Sequence, residues 1–350
     1  MTGNRINRIN RAYRLRRRPV GQLTDGDLEL VEEQVPEPAD GQALVRTKLL
    51  SLDPTSRVWM SDMRSYEPPV PIGAVMRGFG VGEVVASRRE DMPVGATVSG
   101  FTGWQELVLA DDSQLEAPLT VLPTPLPAPE SAFLGVLGHT GISAYLGIDL
   151  AELKEGETIV ISAACGAVGS IAGQIARQKG AGRVIGIAGS PSKCQHAVKV
   201  LGYDACIDHH AADWRAQLDA ATPDGIDVDF ENVGGPVMDH ILMRLNIGAR
   251  VSLCGMISEY NSYNKGGEHT GSLTNIVQLI MQRATIRGFL VLDWAHRFEE
   301  AITYLAGLLS EGKLHYDETI VDGGIEAAPH ALHQLFSGAN LGKLLVRVAD

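Results

Sequence analysis

The sequence has no cysteine before Cys165, and its four cysteines, Cys165, Cys194, Cys206 and Cys254, form no CxxC pair. That spacing excludes a disulfide framework and a four-cysteine zinc lobe. Reduced thiols in a cytoplasmic compartment fit it. Ten histidines are present, but none stands in an HExxH pattern. No run of about 18 apolar residues occurs, so no membrane span is expected. Positive charge is in the minority: 30 Lys and Arg against 42 Asp and Glu give a net charge of -12. Such a surface repels nucleic acid and anionic membranes. It leaves open an anionic cofactor held in a locally cationic pocket. No internal repeat or low-complexity segment is evident.

A length of 350 residues exceeds what one core fills, so two domains are expected. Hydrophobic residues make up 45% and charged residues 21%, an ordinary globular mix. The start is arginine-rich: Arg5, Arg8, Arg11, Arg14, Arg16, Arg17 and Arg18. A transit peptide has that look. However, the stretch lacks serine, and Tyr13 to Gly21 alternates like a strand followed by a turn. A cytoplasmic protein with a frayed basic start is the reading adopted.

From about residue 20 to 130 short strands alternate with Pro- and Gly-rich turns, among them 28–33, 43–49, 78–85 and 95–100. This predicts a β-rich, barrel-like unit. Beyond Pro129 the pattern changes. Helix is predicted over 131–150, broken near Gly138–Gly141. Alternating strands (158–163, 183–188, 205–207, 227–231, 250–254) and helices (167–179, 192–201, 214–220, 237–245, 297–309) follow. That alternation predicts a doubly wound parallel α/β sheet. From about Leu314 the text returns to strand and loop and rejoins the first unit. The expected domains are therefore 1–130 with 314–350, and 131–313.

The segment Ile161-Ser162-Ala163-Ala164-Cys165-Gly166-Ala167-Val168-Gly169 reads as GxGxxG with Ala164 in the first glycine position. It lies between a predicted strand and the helix that follows. Gly166 lets backbone approach a pyrophosphate, Gly169 lets the helix pack closely, and the helix N-terminus offers N–H groups to phosphate. Sites for NAD usually carry an acid about 20 residues on, to bind the ribose 2′-hydroxyl. Here Gly189, Ser190, Pro191, Ser192 and Lys193 stand there. A lysine without an acid suits a 2′-phosphate, so NADPH is predicted, with Lys193 as its contact.

With these motifs the chain resembles the zinc-independent medium-chain dehydrogenase/reductase superfamily. Within it, the chain is similar to the leukotriene B4 12-hydroxydehydrogenase/prostaglandin reductase group, including the bacterial curcumin reductases. Carrying the resemblance are Leu52-Asp53-Pro54 with Arg57 and Met60, Gly166-Ala167-Val168-Gly169, Phe230-Glu231-Asn232-Val233-Gly234-Gly235, Cys254-Gly255-Met256-Ile257-Ser258-Glu259-Tyr260-Asn261 and Asn340-Leu341-Gly342-Lys343. Cys206-Ile207-Asp208-His209-His210 is like the curcumin reductase version. The resemblance implies a GroES-like catalytic domain built from both chain ends, a Rossmann domain between them, and a homodimer. It also implies cofactor contacts at Gly166 to Gly169, Lys193, His209, Asn232, Cys254 to Ser258, Tyr260, Phe289, Leu290, Val291 and Asn340, beside Gly189 and Ser190 read above from the end of the second strand. His209 stands where mammalian members have tyrosine, Thr55 where a tyrosine is usual, and His139-Thr140 where Met-Pro is common.

Metal-dependent relatives carry a Cys or His ligand early in the chain and a Gly-His-Glu block. Here the early segment is Ser51-Leu52-Asp53-Pro54, so no catalytic metal is expected. Conjugate reduction suits a metal-free site: hydride goes to the β-carbon of an enone or enal, and the resulting enolate needs a hydrogen-bond donor and a proton. Tyr260, after a sheet strand, is the first candidate donor; Tyr66 is the second, as proton donor or pocket wall. Packing alone would also account for either tyrosine. Cys165 reads as a small packing residue, Asp53 with Arg57 as a structural polar pair, and His209-His210 mainly as loop histidines. Trp59, Trp104 and Trp294 are either pocket wall or core. The alternatives are quinone reduction, oxidation of a secondary alcohol, and a non-catalytic NADPH-binding structural or sensor protein.

Overall fold

The computed structural model describes residues 9–112, 117–262 and 273–349. Strands β1 (Ile9–Leu15) and β2 (Leu28–Gln34) form a separate antiparallel pair. Arg11, Arg14 and Arg17 are ion-paired on this hairpin, to Glu106 and Glu326, to Glu33 and to Asp27. Arg5 and Arg8 lie outside the described residues. Next come β3 (Ala43–Ser51), a short helix α1 (Thr55–Trp59), β4 (Phe79–Ser87), β5 (Thr97–Phe101), β6 (Leu107–Ala110) and β7 (Thr120–Val121).

A helix α2 (His139–Leu150) leads into the second unit. There β8 (Thr158–Ser162), α3 (Gly169–Gln178), β9 (Arg183–Ala188), α4 (Pro191–Lys199), β10 (Ala205–Asp208), α5 (Trp214–Ala221), β11 (Ile226–Glu231), α6 (Gly235–Leu242) and β12 (Leu245–Leu253) alternate. They are followed by α7 (Gln278–Gln282), β13 (Thr285–Gly288), α8 (Phe298–Ser310), β14 (Glu318–Val321), α9 (Ala328–Ser337) and β15 (Lys343–Arg347). The six strands β10-β9-β8-β11-β12-β13 form one parallel sheet. Its order reverses between β8 and β11, which opens a crevice beyond their C-terminal ends. The second sheet runs β14-β15-β3-β4-β5-β7, with β6 on β3, so both ends of the chain build it. This is a GroES-like β-rich unit beside a Rossmann sheet.

The apolar runs of β8 and β9 are buried on both faces, as parallel strands covered by helices must be. Three expectations are corrected. The tail is not only strand and loop, because α9 forms there. Pro329 in its first turn, Gly338 at φ 67° after its last and buried Ala328, Ala331 and Leu332 on one face account for it. Helix α3 starts at Gly169, not Ala167, since Ala167 and Val168 belong to the preceding turn. Strand β12 starts at Leu245, where the expectation had helix.

In the middle of β11, Asp229 is fully buried, and both its carboxyl oxygens are without a hydrogen-bond partner among the described residues. Burial, reinforced by nearby Glu231, holds its carboxyl well above the usual carboxylate range. The folded chain therefore keeps a proton that the unfolded chain loses near pH ~3.9. Stability contributed here falls as pH rises from that value. Asp229→Asn is expected to raise Tm relative to the parent, at roughly 2–4 °C per kcal/mol. The gap should widen as pH rises above about 5. Melting both proteins across that range checks it; a gap independent of pH would contradict it.

Candidate functional site

Three loops at the C-terminal ends of β8, β11 and β12 interlock beyond the crevice. The Ser162 hydroxyl donates to Glu231 at 2.7 Å, and the Asn232 N–H donates back to the Ser162 hydroxyl at 2.7 Å. Asn232 Nδ2 donates to the Ser162 carbonyl at 2.8 Å. Glu231 also accepts the N–H groups of Val233 and Gly234. Its own carbonyl accepts those of Cys254 and Gly255, at 2.9 and 3.1 Å. Ile257 and Ser258 donate to the carbonyls of Asn232 and Val233. Glu231 therefore aligns 232–235 and 254–258 on the end of β8, a role its position within a motif did not disclose.

The glycine turn has the predicted shape with one substitution. Ala163, at φ 50°, takes the left-handed conformation that tightens the strand exit. A Cβ on Gly169 would stand 2.3 Å from the Ala163 carbonyl oxygen. The glycine therefore serves close approach of α3 to this turn. Contact with the sheet side is made further along, where Gly173 lies under Tyr203, whose hydroxyl donates to the Gly169 carbonyl. The backbone N–H of Val168 has no partner among the described residues, whereas that of Ala167 faces the Gly342 carbonyl across the parallel bridge between Gly166 and Gly342. Val168 thus presents a donor to an anion at the start of α3. Cys165 Sγ contacts the Lys193 carbonyl, and burial pushes its thiol up to about 12, despite nearby Lys193. Burial raises Cys254 likewise, to about 12. Neither thiol is a nucleophile at neutral pH.

At the end of β9, Ser190 caps α4 by accepting the Lys193 N–H. The Lys193 ammonium is half-buried and donates to two backbone carbonyls, Gly338 at 2.7 Å and Asn340 at 2.6 Å. No carboxylate pairs with it among the described residues. Burial lowers its pKa. Asn340 thus meets Lys193, and Gly342 N–H donates to the Cys165 carbonyl at 2.9 Å, docking the 340–342 loop against the glycine turn. His209 and His210 sit in the turn after β10, with ring centroids 4.0 Å apart. Both reach within 4 Å of where a Gly189 Cβ would be. The strand ends at Asp208, so they are loop histidines, as read from the sequence, and their rings converge. Burial lowers the His209 pKa, keeping that ring neutral at neutral pH.

The Tyr260 hydroxyl accepts the Met256 N–H at 3.2 Å, inside the 254–260 loop. Tyr66 lies apart from it on the other unit, 45% exposed, its hydroxyl bonded to that of Thr55. Burial raises the Tyr66 pKa further above neutrality. Asp53 does not pair with Arg57. It holds the buried Lys343 ammonium at 2.6 Å, while Arg57 binds the Pro19 and Gly21 carbonyls and Ser61. Trp59 and Trp104 are core; Trp294 lines an open cleft of about 290 Å³ with Arg287, Phe289, Leu290 and Asp293. Val291 follows directly, at the start of a 3-10 turn.

Sequence reasoning marked His139 only as a replacement. Its ring stands between Phe79 (4.3 Å) and Phe298 (5.8 Å), one from each unit, and Phe79 stacks on Phe101. Burial lowers its pKa, so the imidazole is neutral at neutral pH.

Residues 11–117 match the family described as the N-terminal domain of oxidoreductase, and residues 167–307 match that described as zinc-binding dehydrogenase. The chain is 42% identical over 344 residues to the NADPH-dependent curcumin reductase of Escherichia coli strain K12, covering 97% of each. It is 34% identical to the NADP(+)-dependent 2-alkenal reductase of Nicotiana tabacum, over 97% of this chain and 98% of the relative. The crystal structure of CurA in complex with NADPH from Vibrio vulnificus superposes with a TM-score of 0.90 at 42% identity, covering 97% of this chain and 99% of that one. The chain belongs to the zinc-independent medium-chain dehydrogenase/reductase family, in the group that holds the curcumin, 2-alkenal and prostaglandin reductases.

Proposed function

We propose that this protein reduces the carbon–carbon double bond of α,β-unsaturated ketones and aldehydes with NADPH. The observation that carries the cofactor is the Lys193 ammonium, which among the described residues has neutral carbonyl partners and no acid beside it at the end of β9. A 2′-phosphate supplies the missing negative charge. The unpartnered N–H of Val168 at the start of α3 suits the pyrophosphate. Gly166 to Gly169, Gly189, Ser190, Lys193, His209, Asn232, Cys254 to Ser258, Tyr260, Phe289 to Val291 and Asn340 would hold the cofactor, which supplies a hydride when bound.

The chain's own part is to shape the substrate pocket and manage charge. Phe79, Phe101, His139 and Phe298 form an aromatic wall between the two units. It suits the flat, conjugated body of an enone. The Tyr260 O–H stabilises the enolate oxygen as charge builds there. Tyr66, a neutral phenol at this pH, delivers a proton or closes the pocket. The two domains are 1–130 with 314–350, and 131–313, a division that follows the two sheets. A cytoplasmic homodimer completes the reading. In its support, β13 is the edge of the parallel sheet, and Ile276, Val277, Ile280 and Met281 beside it are exposed.

A substrate panel tests the function. With NADPH, trans-2-alkenals and benzalacetone should lose the double bond and keep the carbonyl, faster than 1,4-quinones are reduced. Secondary alcohols should not turn over with NADP+. Faster quinone reduction would install the first alternative. Tight NADPH binding without any turnover would install the non-catalytic one.

A further inference from the structure

Outside this site, three metal-ligating side chains meet at one point on the seam between the two sheet units. His196 lies near the end of α4, and its Nε2 is 2.7 Å from Asp317 Oδ2. His315 Nε2 is 3.0 Å from the other oxygen of the same carboxylate. All three ligating atoms lie within 4.8 Å of one another. His196 and Asp317 are mostly buried, whereas His315 is half-exposed and leaves an approach from solvent.

The backbone beneath these groups is fixed. Both the N–H and the carbonyl of His315 are gripped by the side-chain amide of buried Gln174, each at 2.8 Å. The Asp317 carbonyl accepts the Lys343 N–H at 2.9 Å. Gly342 packs on that carbonyl so closely that a Cβ there would stand 1.9 Å from it. The donors are therefore positioned by anchored chain rather than by loose side chains, which is what a metal site needs.

We propose that His196, His315 and Asp317 bind a zinc ion. Two imidazoles and a carboxylate are a borderline-soft donor set that suits zinc. Bonds of about 2.0–2.1 Å in a tetrahedron put ligands about 3.3 Å apart. The spacings of 2.7 and 3.0 Å run to different oxygens of Asp317, so the carboxylate turns to offer one oxygen to the ion or binds through both, with all three donor groups starting within 4.8 Å of one another. On binding, each imidazole turns its Nε2 lone pair to the ion and carries its proton on Nδ1, and water takes the fourth place. The ion joins α4, which belongs to the parallel sheet unit, to the segment entering β14 of the other sheet. The ion would share α4 with Lys193, but none of its three ligands is among the cofactor contacts named above.

The test is isothermal titration of zinc chloride into the full-length, tag-free, metal-stripped protein, with thermal melts alongside. One zinc equivalent should bind saturably and raise Tm. His196→Ala and His315→Ala should each weaken binding by at least about tenfold, the scale of losing a metal-site group. Circular dichroism of the metal-free variants shows that they fold, and His315→Ala, at a half-exposed position, is the safer of the two. Cys194→Ser and His210→Ala should bind zinc like the parent. Absence of a saturable equivalent overturns the proposal. So does binding that survives both histidine substitutions, or that is lost in Cys194→Ser or His210→Ala.

Discussion

Lys193→Ala is expected to raise the KM for NADPH by about 10–100-fold, since a charge-assisted hydrogen bond is worth about 1.5–3 kcal/mol. The KM for NADH should barely change, because NADH carries no 2′-phosphate. Kinetics with both cofactors check this, and equal losses on both would remove the basis for the cofactor assignment. The sign rests on what surrounds the ammonium. Its contacts are the carbonyls of Gly338 and Asn340, and Ser190 and Gly189 stand where an acid would otherwise neutralise it. Burial lowers its pKa, so some cost of desolvating the charge is already met before a phosphate arrives. A competing view makes Lys193 a purely structural clasp between α4 and the 338–340 loop. Under that view the loss would be one of stability, shared by both cofactors. Raising ionic strength adds a second readout, since an exposed phosphate–ammonium contact weakens with salt.

How far the sequence disclosed this site depends on the range of the interaction concerned. Strands β8 and β9 were legible because short apolar, β-branched-rich runs between glycine-containing turns have few other local solutions. The glycine turn was legible for the same reason, since its requirements lie within nine residues. Even so, the left-handed position fell on Ala163, which spacing alone could not tell. Asp53 shows the limit. Its neighbour Arg57 was the local candidate, yet its partner is Lys343, almost three hundred residues away in sequence. No local pattern encodes that choice; the strand pairing of β15 with β3 makes it. Strand β13 and helix α7 were missed because both are short and half-exposed, with no apolar period to reveal them. His139 was seen as a changed residue, but its place between Phe79 and Phe298 exists only once the two units meet.

The same reasoning separates the two tyrosines. Tyr260→Phe is expected to lower kcat for enone reduction by about 10²-fold, as loss of a single oxyanion donor does. The KM for NADPH should change little. Its hydroxyl accepts the Met256 N–H, and a Cβ at Gly255 would come within 3.1 Å of it, so the ring is held by the loop that closes the crevice. Removing one oxygen leaves the ring packing in place and takes away the donor together with the acceptor of the Met256 N–H. Tyr66→Phe makes the contrast. That hydroxyl is bound to Thr55 on the other unit and is partly exposed. If Tyr66 delivers the α-proton, its loss should change the solvent deuterium isotope effect and the stereochemistry of α-deuteration, and slow hydride transfer less than Tyr260→Phe does. Single-turnover measurements following NADPH absorbance isolate the hydride step. A Tyr260→Phe enzyme with an unchanged single-turnover rate would take the enolate away from Tyr260 and leave it a packing residue of the 254–260 loop.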